Sequence, residues 1–223
     1  MRTLSLVLVM GLVACRSAGE GLAASDTGSL GQGKPAAPLV KLGTDPGGAG
    51  QGTPLAVRPG RELAAFAAGC FWGVEDAYRH VPGVTATAVG YSGGHTRNPT
   101  YDAVCEHNTG HAETLLVEFD PARVTYERLV DIFFQIHDPT TKNRQGPDVG
   151  DQYRSAVFTL SPAQVGAARA SMARAQGKSQ KPIVTEIAPL GAFYKAEAYH
   201  QQYSERTGSH GCPVNLKGIV QGT

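Results

Sequence analysis

Gly69-Cys70-Phe71-Trp72-Gly73 joins two stretches of the chain that differ in character. The stretch before it, 63–68, reads Leu-Ala-Ala-Phe-Ala-Ala and is wholly apolar, which predicts a buried strand. The stretch after it, 74–79, has the composition of a helix. We therefore expect Cys70 at a strand-to-helix turn, where the flanking glycines let the backbone turn tightly and approach a ligand closely.

A thiol at the start of a helix is a candidate nucleophile. The positive end of the helix dipole favours the thiolate and so lowers the pKa of the thiol. Phe71 and Trp72, the only tryptophan of the chain, would wall an apolar pocket beside the sulfur. A buried cysteine in an aromatic core is an equally ordinary interpretation of these five residues. The motifs further along the chain decide between the two.

Composition narrows the class of protein. The chain has 223 residues and a formal net charge of +1, which indicates one mid-sized domain with extensions and gives no sign of nucleic-acid binding. Its four cysteines form no Cys-x-x-Cys pair, and no His-Glu-x-x-His is present. A zinc site therefore has little support. No bound cofactor is predicted.

The first fifteen residues have the features of an export signal. Met1-Arg2 is a short positive start, and the apolar stretch 4–13 has the length of a signal-peptide core. Leu12-Val13-Ala14-Cys15 resembles the bacterial lipobox, in which the cysteine becomes the lipidated first residue of the mature protein. We predict a lipoprotein signal peptide over 1–15 and an exported protein, periplasmic or extracytoplasmic, that is lipid-anchored to a bacterial membrane. The alternatives are an ordinary signal peptide with an incidental cysteine and an uncleaved anchor.

The next stretch, 16–60, is rich in Gly, Ala, Pro and Ser and contains no aromatic residue. Such a composition buries too little apolar surface to offset the entropy of ordering the chain. We therefore predict a disordered linker between the membrane anchor and a domain that spans 61–215, with a tail over 216–223.

Strands and helices alternate through that domain. Strands are predicted over 84–90, 113–119, 155–160 and 183–187; helices over 126–137, 161–177 and 195–203; a short helix beginning at Asn98-Pro99; and a loop over 138–152. Some strand pairs have no full crossover between them. This favours a two-layer α/β domain with a mixed sheet over a doubly wound one.

Four polar clusters follow the cysteine motif. They are Tyr91-Ser92-Gly93-Gly94-His95, Asn98-Pro99-Thr100-Tyr101, Gly110-His111-Ala112-Glu113 and the run from Arg144 to Tyr153. With Gly69-Cys70-Phe71-Trp72-Gly73 they resemble the A-type peptide-methionine sulfoxide reductases, in the family's order and spacing, over about 63–203. The resemblance implies a ferredoxin-like two-layer α/β sandwich with a loop-rich C-terminal tail. It also implies reduction of the S epimer of methionine sulfoxide, in proteins or free, by a monomer.

The resemblance also implies a role for each matching residue. Cys70 is the nucleophile, Glu113, Tyr101 and Tyr153 surround the sulfoxide oxygen, Asp148 positions a water or the substrate, and Phe71 and Trp72 hold the substrate's methyl group. The chemistry needs such a set, because sulfoxide sulfur becomes electrophilic only when its oxygen is protonated or strongly hydrogen-bonded. A carboxylic acid donates a proton at neutral pH if burial raises its pKa, as we expect for Glu113.

Attack by Cys70 leaves a sulfenic acid, which a second thiol must convert to a disulfide. Cys212, in a turn-rich stretch after the last predicted helix, is the candidate. Members of the family that this sequence resembles often carry one or two recycling cysteines in a glycine-rich tail, and this tail has one. A thioredoxin-like dithiol is therefore expected to attack the Cys70–Cys212 disulfide directly.

Two other functions use the same residues differently. A thiol peroxidase or disulfide exchanger would use Cys70 and Cys212 but leave Glu113 and the tyrosines without a duty. A non-catalytic lipoprotein would keep only an aromatic pocket for methionine-bearing ligands. Among the remaining candidates, Cys105 is expected to be a small buried residue. His111 is expected to orient its loop, and His95, His107 and His210 to be surface residues.

Overall fold

The computed structural model describes residues 42–209 and residue 214. The predictions for the signal peptide with Cys15, for the linker up to residue 41, for His210, for Cys212 and for the tail 216–223 lie outside the described residues. Among the residues that are described, no helix is long and apolar enough to cross a membrane.

Eight strands and five α-helices follow one another along the described chain. They are β1 (Glu62–Ala68), α1 (Phe71–Arg79), β2 (Val84–Ser92), α2 (Tyr101–Cys105), β3 (Ala112–Phe119), α3 (Tyr126–Ile136), β4 (Arg144–Gln145), β5 (Asp148–Val149), β6 (Ser155–Thr159), α4 (Pro162–Gln176), β7 (Glu186–Pro189), β8 (Tyr194–Lys195) and α5 (Tyr203–Thr207). Short 3-10 helices occupy Pro46–Gly48 and Asp151–Tyr153.

Six strands form one sheet in the order β7-β6-β1-β3-β2-β8, and β4 pairs with β5 in a separate hairpin. Only β6 and β7 are parallel; the other pairs of the large sheet are antiparallel, so the sheet is mixed. The inner order β6-β1-β3-β2 interleaves two β-α-β units, which is the ferredoxin-like arrangement. The predicted fold class is confirmed.

The two faces of the sheet are covered differently. On one face, β1 and β3 pack against α1, α3 and α4 through a large aromatic and aliphatic cluster that contains Phe66, Tyr78 and Phe133. On the other face a smaller cluster is covered by irregular chain that includes Ala49 and Leu55. Because both faces are buried, β1 carries a continuous apolar run over 63–68 rather than an alternating pattern.

Residues 43–55 belong to the folded domain, so the predicted disordered linker is wrong in this part. Gly43 forms a bridge with Ala86 at the edge of β2, and its N–H donates to the Thr85 carbonyl over 2.8 Å. β8 pairs only with Gly90 and Tyr91, so it leaves the first half of that edge uncovered. The arm supplies the missing backbone partners, and these contacts need small residues rather than apolar side chains.

Three further elements differ from the predictions. The short helix begins with Thr100 as its N-cap, whose hydroxyl accepts from the Ala103 N–H, while Asn98 adopts a left-handed conformation two residues earlier. The predicted strand over 183–187 lies instead at Glu186–Pro189, where β6 offers a parallel edge. The predicted loop over 138–152 holds the β4–β5 hairpin and the start of a 3-10 helix.

The predicted helix over 195–203 is wrong. Its first residue closes β8, residues 198–202 form turns, and α5 begins only at Tyr203. The reason is tertiary: the side chains of Gln201 and Gln202 hydrogen-bond to the backbone of β2. These contacts fix Gln202 in a left-handed conformation that a continuous helix excludes.

Candidate active site

Cys70 lies at the turn between β1 and α1, as predicted. It is the N-cap residue of α1 and is half-buried. Gly69 before it has φ +93°, and a Cβ there would lie 2.7 Å from the Gln145 side chain, so only glycine suits this turn. The first N–H of the helix, from Phe71, donates to Glu113 Oε2 over 2.9 Å. The start of α1 therefore links the turn that carries Cys70 to the carboxyl group of Glu113.

Glu113 is the buried acid of the site. It stands on β3 with 2% of its surface exposed. Burial raises the pKa of Glu113 well above its usual value, the negative charges of Cys70 and Asp148 raise it further, and the Phe71 N–H opposes the shift only in part. This shift favours the neutral carboxylic acid, which can donate a proton next to Cys70.

Two phenols and a second carboxylate surround this pair. Tyr101 begins α2, Tyr153 ends a 3-10 helix and Asp148 begins β5, so three separate elements converge here. Burial raises the pKa of both tyrosines, and the Glu113 carboxyl group adds to the shift in each when it is ionised. The nearby charge of Asp148 raises the pKa of Tyr153 further. Both phenols therefore stay protonated and can donate hydrogen bonds.

Phe71 and Trp72 form the aromatic part of the site. Phe71 is almost fully buried, and its ring centroid lies 5.9 Å from that of Tyr91. Trp72 is half-buried and stacks on Tyr203, with centroids 3.9 Å apart and rings 9° from parallel. The indole is therefore held flat against a second ring beside Cys70.

Four residues to which the sequence analysis assigned no role complete the surroundings. They are Tyr91, Glu197, His200 and Tyr203. Glu197 accepts from the Tyr91 hydroxyl over 3.0 Å and from the Tyr101 N–H over 2.9 Å. Three of the four recur every third residue along 197–203, a spacing that would have placed them on one face of the predicted helix and was the available signal.

His200 is the central residue of this group. Its Nδ1 accepts from Trp72 Nε1 over 3.0 Å. The ring is buried, its Nε2 makes no hydrogen bond, and Glu197 Oε2 lies 3.9 Å from that nitrogen. Burial lowers the pKa of His200, and the Glu197 charge opposes this shift. A neutral imidazole with Nδ1 unprotonated matches the contact with Trp72.

Cys105 and His111 have different surroundings from one another. Cys105 is only half-buried and its thiol interacts with the Tyr101 hydroxyl, so the expectation of a buried cysteine is wrong. Its position in the last turn of α2, the helix that carries Tyr101, explains this contact.

His111 is buried, accepts from the Gly94 N–H and contacts the Thr96 carbonyl at 2.9 Å. This arrangement suits a residue that orients its loop. His95 and His107 are exposed.

The structure brings together all the predicted site residues that it describes: Cys70, Phe71, Trp72, Tyr101, Glu113, Asp148 and Tyr153. Within residues 42–209 and 214, no group of three or more His, Cys, Asp or Glu residues is arranged to hold a metal ion. A cysteine beside a buried acid and two phenols, in a ferredoxin-like α/β domain, defines a thiol-dependent oxidoreductase.

Comparison with known proteins specifies the family. The family model for peptide methionine sulfoxide reductase matches residues 62–222. The MsrA of Methanosarcina acetivorans is 60% identical over 151 residues, which are 67% of this chain and 80% of that protein. The MsrA of Geobacter sulfurreducens is 54% identical over 153 residues, which are 68% of this chain and 94% of that protein.

Solved structures indicate the same family. Methionine sulfoxide reductase A of Corynebacterium diphtheriae superposes with a TM-score of 0.66 at 37% identity and covers 78% of this chain and 90% of that one. Reduced Mxr1 of Saccharomyces cerevisiae has a TM-score of 0.66 at 38% identity, with 68% and 89% covered. The chain belongs to the peptide methionine sulfoxide reductase family and reduces methionine sulfoxide with thiols. The predicted family and reaction are confirmed.

Proposed function

We propose that the reaction proceeds at Cys70 on the S epimer of methionine sulfoxide, that Cys212 resolves the product, and that a thioredoxin-like dithiol restores the enzyme. The observation that carries the proposal is the 2.9 Å contact between the Phe71 N–H at the cysteine turn and buried Glu113. It joins the start of the helix beside the nucleophile to an acid whose raised pKa favours the protonated form.

In the first step the Cys70 sulfur attacks the sulfoxide sulfur while Glu113 donates a proton to the sulfoxide oxygen. Tyr101 and Tyr153 donate hydrogen bonds to the same oxygen, and Asp148 positions a water or the substrate. The oxygen then passes to Cys70, which becomes a sulfenic acid, and methionine leaves. The sulfoxide gains two electrons and the cysteine sulfur loses two.

The aromatic residues select the substrate. Phe71 and Trp72 hold the methyl group, and the stacked Tyr203 ring keeps the indole in place. An apolar wall on one side and hydrogen-bond donors on the other distinguish the two substituents of the sulfoxide sulfur. This difference supports discrimination between the two epimers.

In the second step the Cys212 thiol condenses with the sulfenic acid, forming the disulfide and releasing water. An external dithiol then reduces this disulfide by exchange. A thioredoxin-like protein supplies such a dithiol, and because the chain has one cysteine after α5 rather than two, this partner attacks the Cys70–Cys212 disulfide directly.

We also propose that the enzyme works outside the cytoplasm as a lipid-anchored repair protein. The positive start, the short apolar stretch and Leu12-Val13-Ala14-Cys15 support this location. Mass spectrometry of the mature protein tests it. An acylated Cys15 at the N-terminus is expected, and a mature N-terminus elsewhere or an unmodified Cys15 would contradict it.

A single-turnover assay tests the chemistry. The protein is incubated with a peptide that carries methionine S-sulfoxide, first without reductant and then with thioredoxin. Wild type should form one equivalent of methionine, Cys70→Ser none, and Cys212→Ser one equivalent with the sulfenic acid retained on Cys70. Cys212→Ser should then fail to turn over with thioredoxin. Normal multiple turnover of that variant would refute Cys212 as the resolving thiol, and turnover of peroxide in place of sulfoxide would favour a thiol peroxidase.

A further inference from the structure

We infer that Glu75 is a positioning residue for the disulfide-forming step: it anchors the C-terminal segment, defined here as residues 196–209, from which the chain continues to Cys212. The inference rests on the proposed role of Cys212. Glu75 lies on α1, five residues after Cys70, and no role in the chemistry has been assigned to it so far.

Glu75 is buried and fully engaged. Only 1% of its surface is exposed. Oε2 accepts from the Gln202 N–H over 2.7 Å, and Oε1 accepts from Gln202 Nε2 over 2.9 Å and from the Thr87 hydroxyl over 2.8 Å. Two of the three donors belong to one residue of the C-terminal segment, so the carboxylate links α1 to that segment.

Gln202 is the point at which the segment changes direction. It has φ 48° and ψ 43°, a left-handed conformation that non-glycine residues rarely adopt, and α5 starts immediately after it. The hydrogen bond from its own N–H to Glu75 holds the residue in this conformation. Without that acceptor, the strain favours a different path for the chain.

Side chains supply most of the other attachments. The amide of Gln201 accepts from the Val89 N–H and donates to the Val89 carbonyl, both over 2.9 Å, which imitates strand pairing at the edge of β2. Arg79 forms a two-pronged ion pair with Glu205 at 2.6 and 3.0 Å. Arg79 and Glu75 both lie on α1, so the helix that begins at the nucleophile also holds the segment.

The segment connects this anchor to the resolving thiol. Tyr203, next to Gln202, stacks on Trp72, and Cys212 follows Ser209 by three positions in the sequence. A thiol tethered at a defined point meets the sulfenic acid at a higher effective concentration than one on a freely moving segment. Glu75 thus speeds the condensation without touching either sulfur.

The test separates the two chemical steps in full-length protein. Glu75→Gln places an amide N–H₂ against the donors of Gln202. At saturating sulfoxide peptide, methionine formation in a single turnover should stay within about twofold of wild type. Disulfide formation, followed by loss of thiols, should slow by about tenfold or more, the effect expected for lost hydrogen bonds to a charged group. The sulfenic acid should accumulate and react with dimedone.

Glu118→Gln is the matched control. Glu118 is also a fully buried carboxylate, and it accepts from Arg58 and from Thr85, each over 2.6 Å, on a different part of the sheet. Its loss should lower the melting temperature and leave the disulfide step unchanged. If Glu118→Gln slows disulfide formation as much as Glu75→Gln, the effect is one of general stability and the inference is wrong.

Exchanging the two groups provides the rescue. Gln202→Glu alone should slow disulfide formation because it sets two carboxylates against each other. This variant leaves α1 unaltered, so it still tests the inference if Glu75→Gln folds poorly. Glu75→Gln combined with Gln202→Glu restores an amide opposite a carboxylate and should recover most of the rate. Disulfide formation at the wild-type rate in both single variants would overturn the inference. A wild-type protein that forms no methionine would instead refute the proposed function.

Discussion

The two sides of the site are built in different ways. The nucleophile side consists of β1, the Cys70 turn, α1 and β3, in which regular backbone pairing places Cys70 beside Glu113. The opposite side is the C-terminal segment, where turns and a five-residue helix are held by the side chains of Gln201, Gln202 and Glu205. The first side has a rigid backbone, and the second depends on a few side-chain contacts.

This difference matches the chemistry that each side must perform. Proton donation next to the thiol requires a fixed distance and an excluded solvent, which the centre of a sheet provides. Forming a disulfide requires a second thiol to approach Cys70. The resulting disulfide must then become accessible for exchange with the reducing partner. Elements held by few contacts open more easily than the core of a sheet.

The largest expected effect lies on the nucleophile side. Glu113→Gln removes the transferable proton and should slow the reductase step by roughly 10²–10⁴-fold with little change in KM. The wild-type rate should fall as pH rises through the raised pKa of Glu113, because only the protonated acid donates. Single-turnover rates across pH measure both effects. An unchanged rate would remove Glu113 from the chemistry and with it the contrast between the two sides.

Glu113 also links pH to stability. The folded protein keeps a proton that the unfolded chain releases above a pKa of about 4.3. Between that value and the raised pKa of the folded state, the free energy of unfolding therefore decreases as pH rises. Urea unfolding should show a flatter pH dependence in Glu113→Gln than in wild type over this range.

An intermediate effect is expected where the two sides meet. His200→Phe keeps a ring behind Trp72 but leaves its indole N–H without the acceptor at 3.0 Å. KM for the sulfoxide peptide should rise by about tenfold, the cost of leaving a partly buried donor unsatisfied, while kcat changes less. Tyr199→Phe, at the exposed neighbouring ring, is the control and should leave KM unchanged. Equal KM values in all three proteins would show that the segment does not position Trp72.

The smallest effect concerns the start of α2. The sequence pattern favoured Asn98 as its N-cap, whereas the structure uses Thr100. Thr100→Ala should reduce the free energy of unfolding by about 1 kcal/mol. Asn98→Gly should be nearly neutral, since glycine accepts the left-handed conformation observed there. Chemical denaturation measures the loss of stability in the two variants. A larger loss in Asn98→Gly than in Thr100→Ala would support the predicted cap.

The sequence by itself determined the nucleophile side. An unbroken apolar run predicts a strand buried on both faces, and glycine at the turn permits the positive φ of Gly69, so the position of Cys70 followed from local rules. The residues proposed to surround the sulfoxide oxygen followed from motifs whose order matches a known family. The two-layer α/β class followed from the alternation of strands and helices.

Only the tertiary structure decided the C-terminal segment, the arm over 43–55 and the protonation of Glu113. A local pattern of helix-forming residues over 195–203 could not reveal that Glu75 and the edge of β2 would take the hydrogen bonds of Gln201 and Gln202. The low apolar content of the arm concealed a fit that depends on backbone pairing at an open sheet edge. A carboxyl group's pKa depends on the charges and the solvent around it, and these exist only once distant parts of the chain are packed together.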